Sequence, residues 1–334
     1  MSPKSKVQSL AGGKRSSWTS PTTFHVDMKA QLFDITHSTT YDYRSPVTVA
    51  HHLLRLAPRR LRRQFRLAHE LDLKPAAASL NRHTDYFGNE VAFAIFEGAH
   101  RQLRVTARSR VAVGAAFIPE AAETPAWESV RNLCRTDLSP PALEAGEFTF
   151  GSPLVPLDAP FTDYARESFP AGRRLLEAVL DLTARIHRDF KFDPTATTVA
   201  TPLAQVLAQR RGVCQDFAHL QIACLRALGL PARYVSGYLE TVPPPGQAKL
   251  VGADASHAWV SFFCPGLGWI DVDPTNNLLP SMQHITLGWG RDYGDISPIR
   301  GVLVGGEEHT LSVAVDVTAL GEMEEETLRG AARS

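Results

Sequence analysis

Nine residues, Gly212-Val213-Cys214-Gln215-Asp216-Phe217-Ala218-His219-Leu220, constrain this chain more than any other stretch. They read as a short turn running directly into a helix, with Cys214 at the entry. Phe217, Ala218, Ile222, Leu225 and Leu228 follow at helical spacing, and Gly229 and Pro231 close the segment. The first turn of a helix presents unpaired backbone N–H groups and the positive end of the dipole. A thiol there gains thiolate character, so Cys214 is a candidate nucleophile. Cys224, ten residues on between Ala223 and Leu225, reads as a small buried hydrophobe. His219, five residues on, is past a full turn and points away from Cys214.

A strand pair downstream supplies partners. Ser256 to Phe263 is one arm, Trp269 to Pro274 is the other, and Cys264-Pro265-Gly266-Leu267-Gly268 turns between them. Side chains alternate faces along a strand, so His257, Trp259, Ser261 and Phe263 share one face of the first arm, and Asp271 and Asp273 share one face of the second, on the same side of the pair. With the turn centred near Pro265–Gly266, His257 lies across from Asp273. A slip of one residue pair makes that contact diagonal and still within reach. Asp271 has the same parity and competes for the same role. Asp273 has a blander reading as the cap of the turn at Pro274-Thr275.

A thiol, an imidazole and a carboxylate form a complete nucleophilic set. The thiolate attacks an acyl carbon, the imidazole moves the proton, and the carboxylate fixes the tautomer and orientation of the ring. The Cys214 N–H is one oxyanion donor, and Gln209 and Gln215 are candidates for the second. Tyr234, Ser236 and Tyr238 on the strand at 232–239, with Trp259, are candidates for lining a substrate groove; core packing is the competing reading.

The chain has 334 residues, 44% of them hydrophobic, enough for a core and two domains. Lys plus Arg and Asp plus Glu both number 35, so no global charge points to nucleic acid or an anionic membrane. Cys134, Cys214, Cys224 and Cys264 fit no zinc spacing and no CxxC, which suggests reduced thiols in a cytoplasmic protein. No apolar run approaches transmembrane length. His51-His52 and His284 lack metal-ligand partners at useful spacing. The glycines of 301–306 fit no phosphate loop. No metal or cofactor is expected.

Organisation follows from patterning. Residues 1–28 read as a disordered tail, with Met28 a credible alternative start. Residues 29–115 read as an antiparallel β-domain, with alternation over 33–43, 65–73 and 103–111 and an Asp85-Tyr86-Phe87-Gly88-Asn89 turn between strands near 79–84 and 90–96. Arg55, Arg59, Arg60, Arg62, Arg63 and Arg66 cluster there, and a solvated edge is the preferred reading over nucleic-acid contact. Residues 116–170 read as a connector with a short helix near 126–135. Residues 171–300 form the core, with helices over about 173–190 and 202–210. Strands near 299–304 and 309–317 fill the C-terminal segment at 301–320, and 321–334 reads as an acidic tail.

The motifs are also those of a known family. Gly212-Val213-Cys214-Gln215-Asp216-Phe217-Ala218, Gly229 to Tyr238, Ala255-Ser256-His257-Ala258-Trp259-Val260, Gly268-Trp269, Asp273-Pro274-Thr275-Asn276 and Gly290-Arg291-Asp292-Tyr293 closely resemble the bacterial transglutaminase-like core. His37 to Tyr41, Leu54 to Arg59 and Asp85 to Asn89 resemble the β-domain that precedes it. The resemblance covers about residue 30 to about 317. It implies an α+β fold, with a papain-like core of helices packed on an antiparallel sheet preceded by an antiparallel β-domain. It assigns Cys214 as nucleophile, His257 as base and Asp273 as its orienter. Asp271 departs from the family, which more often has a small or apolar residue there. The implied activity is cysteine-dependent acyl transfer on peptide or protein amides, leaning to hydrolysis. The alternatives are glutamine-to-amine cross-linking and a catalytically silent protein-binding module. No EF-hand spacing calls for calcium.

Overall fold

The computed structural model describes residues 29–240 and 256–323. The expected tail at 1–28, the Pro243–Gly246 loop and the acidic residues after Met323 lie outside the described residues.

The chain runs β1 (Ala30–Leu54), β2 (Gln64–Lys74), β3 (Ser79–Thr84), β4 (Glu90–Gly114), α1 (Trp127–Thr136), α2 (Pro140–Gly146), α3 (Ala159–Arg166), α4 (Leu175–Asp189), β5 (Lys191–Phe192), α5 (Leu203–Gln209), β6 (Arg211–Gly212), α6 (Cys214–Ala227), β7 (Ala232–Leu239), β8 (Ser256–Cys264), β9 (Gly268–Val272), β10 (His284–Gly290), α7 (Tyr293–Ile296), β11 (Ile299–Gly305) and β12 (His309–Met323).

The first sheet is antiparallel, in the order β11-β1-β4-β2, with β12 also on β1 and β3 on β4. Its frame is two long strands. β1 shifts register between Asp42 and Val47, where Pro46 cannot donate to a ladder, and again before Val49. The lower half of β1 pairs with β12 and the upper half with β11. The C-terminal strands therefore complete the N-terminal sheet, and β12 runs past the expected end at 317 to Met323.

The second sheet is antiparallel in the order β10-β7-β8-β9. Helix α6 packs on β7 and β8 and is buried on every side from Asp216 to Arg226. A helix so enclosed must satisfy its own polar groups. Gln221 donates to Thr183 Oγ1 at 2.7 Å, and Arg226 donates to the carbonyls of Ala232 and Arg291 at 2.9 and 2.7 Å. The segment at 116–170 is not a loose connector. It contains α1, α2 and α3, and Trp127, Val130, Phe161, Tyr164 and Phe169 join the same apolar cluster as α4 and α6.

Two motifs clasp the sheets together. The Asp85–Asn89 turn places Gly88 at φ +76°, and Asn89 then reaches into β10. Asn89 Nδ2 donates to the Trp289 carbonyl at 2.8 Å, and Trp289 N donates to Asn89 Oδ1 at 3.0 Å. Gln64 likewise accepts from Thr286 N and donates to its carbonyl. The arginine cluster is largely part of this seam, not a solvated edge. Arg59 stacks 3.4 Å over the Trp289 ring, with Arg233 3.8 Å from the same ring. Arg55 pairs with Asp85, Arg63 with Asp271 and Arg66 with Glu90. Among the described residues no helix is long and apolar enough to cross a membrane.

Candidate active site

Cys214 opens α6 after an extended Val213. Asp216, at the third helical position, accepts from Val213 N at 2.8 Å and from Thr197 Oγ1 at 2.6 Å. This fixes the entry angle of the helix. Gly212 is required by the same cap, since a Cβ there would lie 2.6 Å from Asp216 Oδ2. Burial pushes the Asp216 carboxyl up, opposed by those two hydrogen bonds.

The β8–β9 register pairs Cys264 with Gly268 and Val260 with Val272, so the turn is centred on Gly266. Extending it places Trp259, not His257, opposite Asp273. The His257–Asp273 contact is the diagonal one, at 2.7 Å between Nε2 and Oδ2. His257 also hydrogen-bonds Cys214. With Nε2 engaged by the carboxylate, Nδ1 is the nitrogen left for the thiol, the reverse of the serine-protease assignment.

Burial disfavours charge on the His257 ring. The hydrogen bonds to Asp273 and Cys214 and the charges of both outweigh it, so the pKa is pushed up to about 10. Asp273 has no exposed surface. Burial alone would raise it, but hydrogen bonds from His257, His284 and Asn276 hold its carboxyl well below the usual range. Its other oxygen accepts from Thr275 N at 2.9 Å and Asn276 N at 3.2 Å. Asp273 is thus both the turn cap and the partner of His257.

Asp271, the competing carboxylate, faces elsewhere. It accepts from Trp259 Nε1 at 3.2 Å and lies 3.9 Å from Arg63. His219 accepts from Tyr293 N at 3.1 Å and serves to pin the Gly290–Tyr293 loop onto α6. Burial pushes the thiols of Cys134 and Cys264 up to about 11 and that of Cys224 to about 12. Asp137 adds to the effect at Cys134.

The weaker expectations fare differently. Gln215 is half-buried beside Cys214, and Gln209 is exposed at the end of α5. Trp259 and Tyr238 do not line a groove, being 0% and 1% exposed. Trp259 anchors Asp271, and the Tyr238 hydroxyl lies 2.9 Å from His37 Nδ1 in the seam between the sheets. Tyr234 is buried as well, packed on His219 with ring centroids 5.0 Å apart.

Two neighbours were not foreseen. Asn276 Nδ2 donates to Asp273 Oδ2 at 2.8 Å, and His284 Nε2 lies 3.2 Å from the same oxygen. Asn276 had a signal, three residues after an Asp-Pro turn. His284 had none, because β10 was not expected and its pairing with β7 is what brings the ring in. His257, Asp273 and His284 have donor atoms within 4.8 Å of one another, close enough to share a metal ion. Both imidazoles nevertheless place Nε2 within hydrogen-bond distance of one carboxylate oxygen. An ion there would consume the nitrogen that orients His257, so the set fits a hydrogen-bonded cluster better than a resident metal centre.

The bacterial transglutaminase-like N-terminal region matches residues 33–112, and the transglutaminase-like superfamily matches residues 163–274. An uncharacterized protein of Mycobacterium tuberculosis is 39% identical over 293 residues, covering 85% of this chain and 92% of the relative. A protein-glutamine gamma-glutamyltransferase of Pseudomonas aeruginosa is 35% identical over 107 residues, 30% of this chain and 16% of that protein. The crystal structure of a proposed cysteine protease from Cytophaga hutchinsonii has the same fold, with TM-score 0.71 at 22% identity over 89% of this chain and 93% of the other. On these matches, the chain belongs to the bacterial transglutaminase-like family, with the family's N-terminal β-region joined to a transglutaminase-like core.

Proposed function

We propose that this protein is a cysteine-dependent acyl-transfer enzyme acting on peptide or protein amides, with hydrolysis as its main outcome. The observation that carries the reading is the continuous chain from the Cys214 thiol through His257 to the ionised Asp273 at the start of a buried helix. The Cys214 thiolate attacks the amide carbon. The Cys214 N–H and the other free N–H groups of the first turn of α6 receive the oxyanion, and half-buried Gln215 stands beside them. The imidazolium of His257 protonates the leaving amine, forming a thioester. Neutral His257 then takes a proton from water, which attacks the thioester and frees the acid and the thiol.

An amine in place of water gives the second reading, glutamine-to-amine transfer. The match to the Pseudomonas glutamyltransferase favours it over the segment the two chains share. A glutamine-containing peptide incubated with a labelled primary amine separates the two by mass. Hydrolysis adds one dalton per glutamine side chain or cuts the backbone, whereas transfer adds the label. Cys214→Ala removes both products. Turnover that survives in Cys214→Ala refutes the proposal, whereas an unreactive Cys214 thiol and no turnover in the wild type favour a silent binding module on this fold. Four cysteines with no disulfide among them suit the reducing cytoplasm we propose for it.

A further inference from the structure

We propose that His284 is a positioning residue of the site, a second imidazole that anchors Asp273 to the core sheet so that Asp273 can orient His257. The proposal rests on the triad reading above and extends it to a residue outside the triad.

Asp273 receives five donors. Three come from its own turn: Thr275 N, Asn276 N and Asn276 Nδ2. They move with the carboxylate and cannot fix its place in the molecule. A fourth, His257 Nε2, belongs to the ring being oriented. Only His284 Nε2, at 3.2 Å, comes from a separate rigid element, the strand β10. Within the described residues it is the external reference for the carboxylate.

His284 is itself held. It is 1% exposed, and its backbone N–H bonds the Ser281 carbonyl at 3.2 Å. Its ring meets the Trp259 indole edge-on at 5.3 Å between centroids and lies 6.0 Å from the His257 ring. Among the described residues, the polar or titratable groups packed around it include those two rings, Asp273 and Asn276, which donates to the same Asp273 oxygen. Its Nδ1 is buried with no hydrogen-bond partner among the described residues. Among the described residues, all of the hydrogen bonding that a histidine side chain adds at this position therefore passes through Nε2 to Asp273. A buried imidazole with one orphaned nitrogen carries a cost that an apolar residue would avoid. The bond to Asp273 accounts for keeping it.

The test uses the full chain and needs no substrate. Cys214 alkylation by iodoacetamide is followed against pH by mass spectrometry in wild type, His284→Gln and His284→Asn. A glutamine amide reaches the position of Nε2, and an asparagine amide reaches that of Nδ1. His284→Gln is expected to label as wild type. His284→Asn is expected to shift the profile upward by about one pH unit, roughly a tenfold slower rate on the acid side. Loss of packing alone would move both variants together. Identical profiles for the two variants overturn the proposal.

A second measurement covers the case in which a variant does not fold. The imidazole 15N spectrum of wild type is expected to show His284 protonated at Nε2. A proton on Nδ1 alone overturns the proposal. Slow wild-type labelling of Cys214 overturns the triad reading and this proposal with it. Fast wild-type labelling with no difference between Gln and Asn removes only the role of His284.

Discussion

His257 Nε2 and Asp273 Oδ2 lie 2.7 Å apart, although the β8–β9 register places Trp259, not His257, opposite Asp273. The diagonal contact leaves the directly opposed position to an indole whose N–H holds the other carboxylate, Asp271. The two acids on one strand face are thus sorted by their donors. Asp273→Asn is expected to lower turnover by about 10³–10⁴-fold, as loss of the orienting carboxylate does in a triad. Asp271→Asn is expected to leave turnover within a few-fold while weakening the Trp259 bond. Steady-state rates on one amide substrate decide between them, and equal losses would contradict the assignment.

Asn89 joins the two sheets by bonds to both backbone groups of Trp289. It is 1% exposed, so alanine leaves a buried N–H and carbonyl unpaired. Asn89→Ala is expected to destabilise the fold by about 3 kcal/mol, read from urea unfolding. A change under about 0.5 kcal/mol would mean that water or a shifted strand replaces the side chain.

Gly212→Ala tests the cap that aims Cys214. The new Cβ would sit 2.6 Å from Asp216 Oδ2, and that carboxylate holds Val213 N. Loss of the cap costs about 1 kcal/mol of stability. Cys214 alkylation should slow with it, because the first turn of α6 is displaced. Wild-type alkylation in a folded Gly212→Ala protein would show that the cap does not position the thiol.

Burial lowers the pKa of His37, His52, His69 and His219 to about 4. In the unfolded chain each takes a proton below about pH 6.5. The unfolded state therefore binds more protons in this window, and stability falls as pH drops from about 6.5 to about 4. His257 works in the opposite direction. Its stabilisation is full below about pH 6.5 and is lost as pH rises through about 10. The melting temperature should peak between about pH 6 and 7 and fall on both sides. Neither ring nitrogen of His52 has a hydrogen-bond partner among the described residues, so His52→Phe should flatten the acid limb. An unchanged acid slope in that variant would contradict the account.

The parts legible in the sequence were those with local signals. Strand β7 and helices α1, α4 and α5 begin and end within about two residues of their expected bounds, because their apolar spacing and end residues lie within each segment. Cys214, His257 and Asp273 were visible because a helix start and a hairpin are local structures. What stayed hidden depends on pairing across the chain. Strand β10 alternates around Gly288 and Gly290, residues that weaken a strand signal, so its partner β7 and the arrival of His284 could not be read. Sequence pattern alone leaves the arginines to solvent, because Trp289 and Asp271 are more than 200 residues away from Arg59 and Arg63 in sequence. For Tyr238 and Trp259, parity gives a shared face but does not say what covers it, and both are buried.

The most direct test of the account is the pH profile of iodoacetamide labelling for the four cysteines in folded wild-type protein. Cys214 should alkylate fast well below about pH 8, the signature of a thiolate paired with an imidazolium. Cys134, Cys224 and Cys264, with pKa values pushed up to about 11 or 12, should stay unlabelled until the chain unfolds. Labelling of Cys214 no faster than that of Cys134 or Cys264 would contradict the central claim that the Cys214–His257–Asp273 chain activates the thiol.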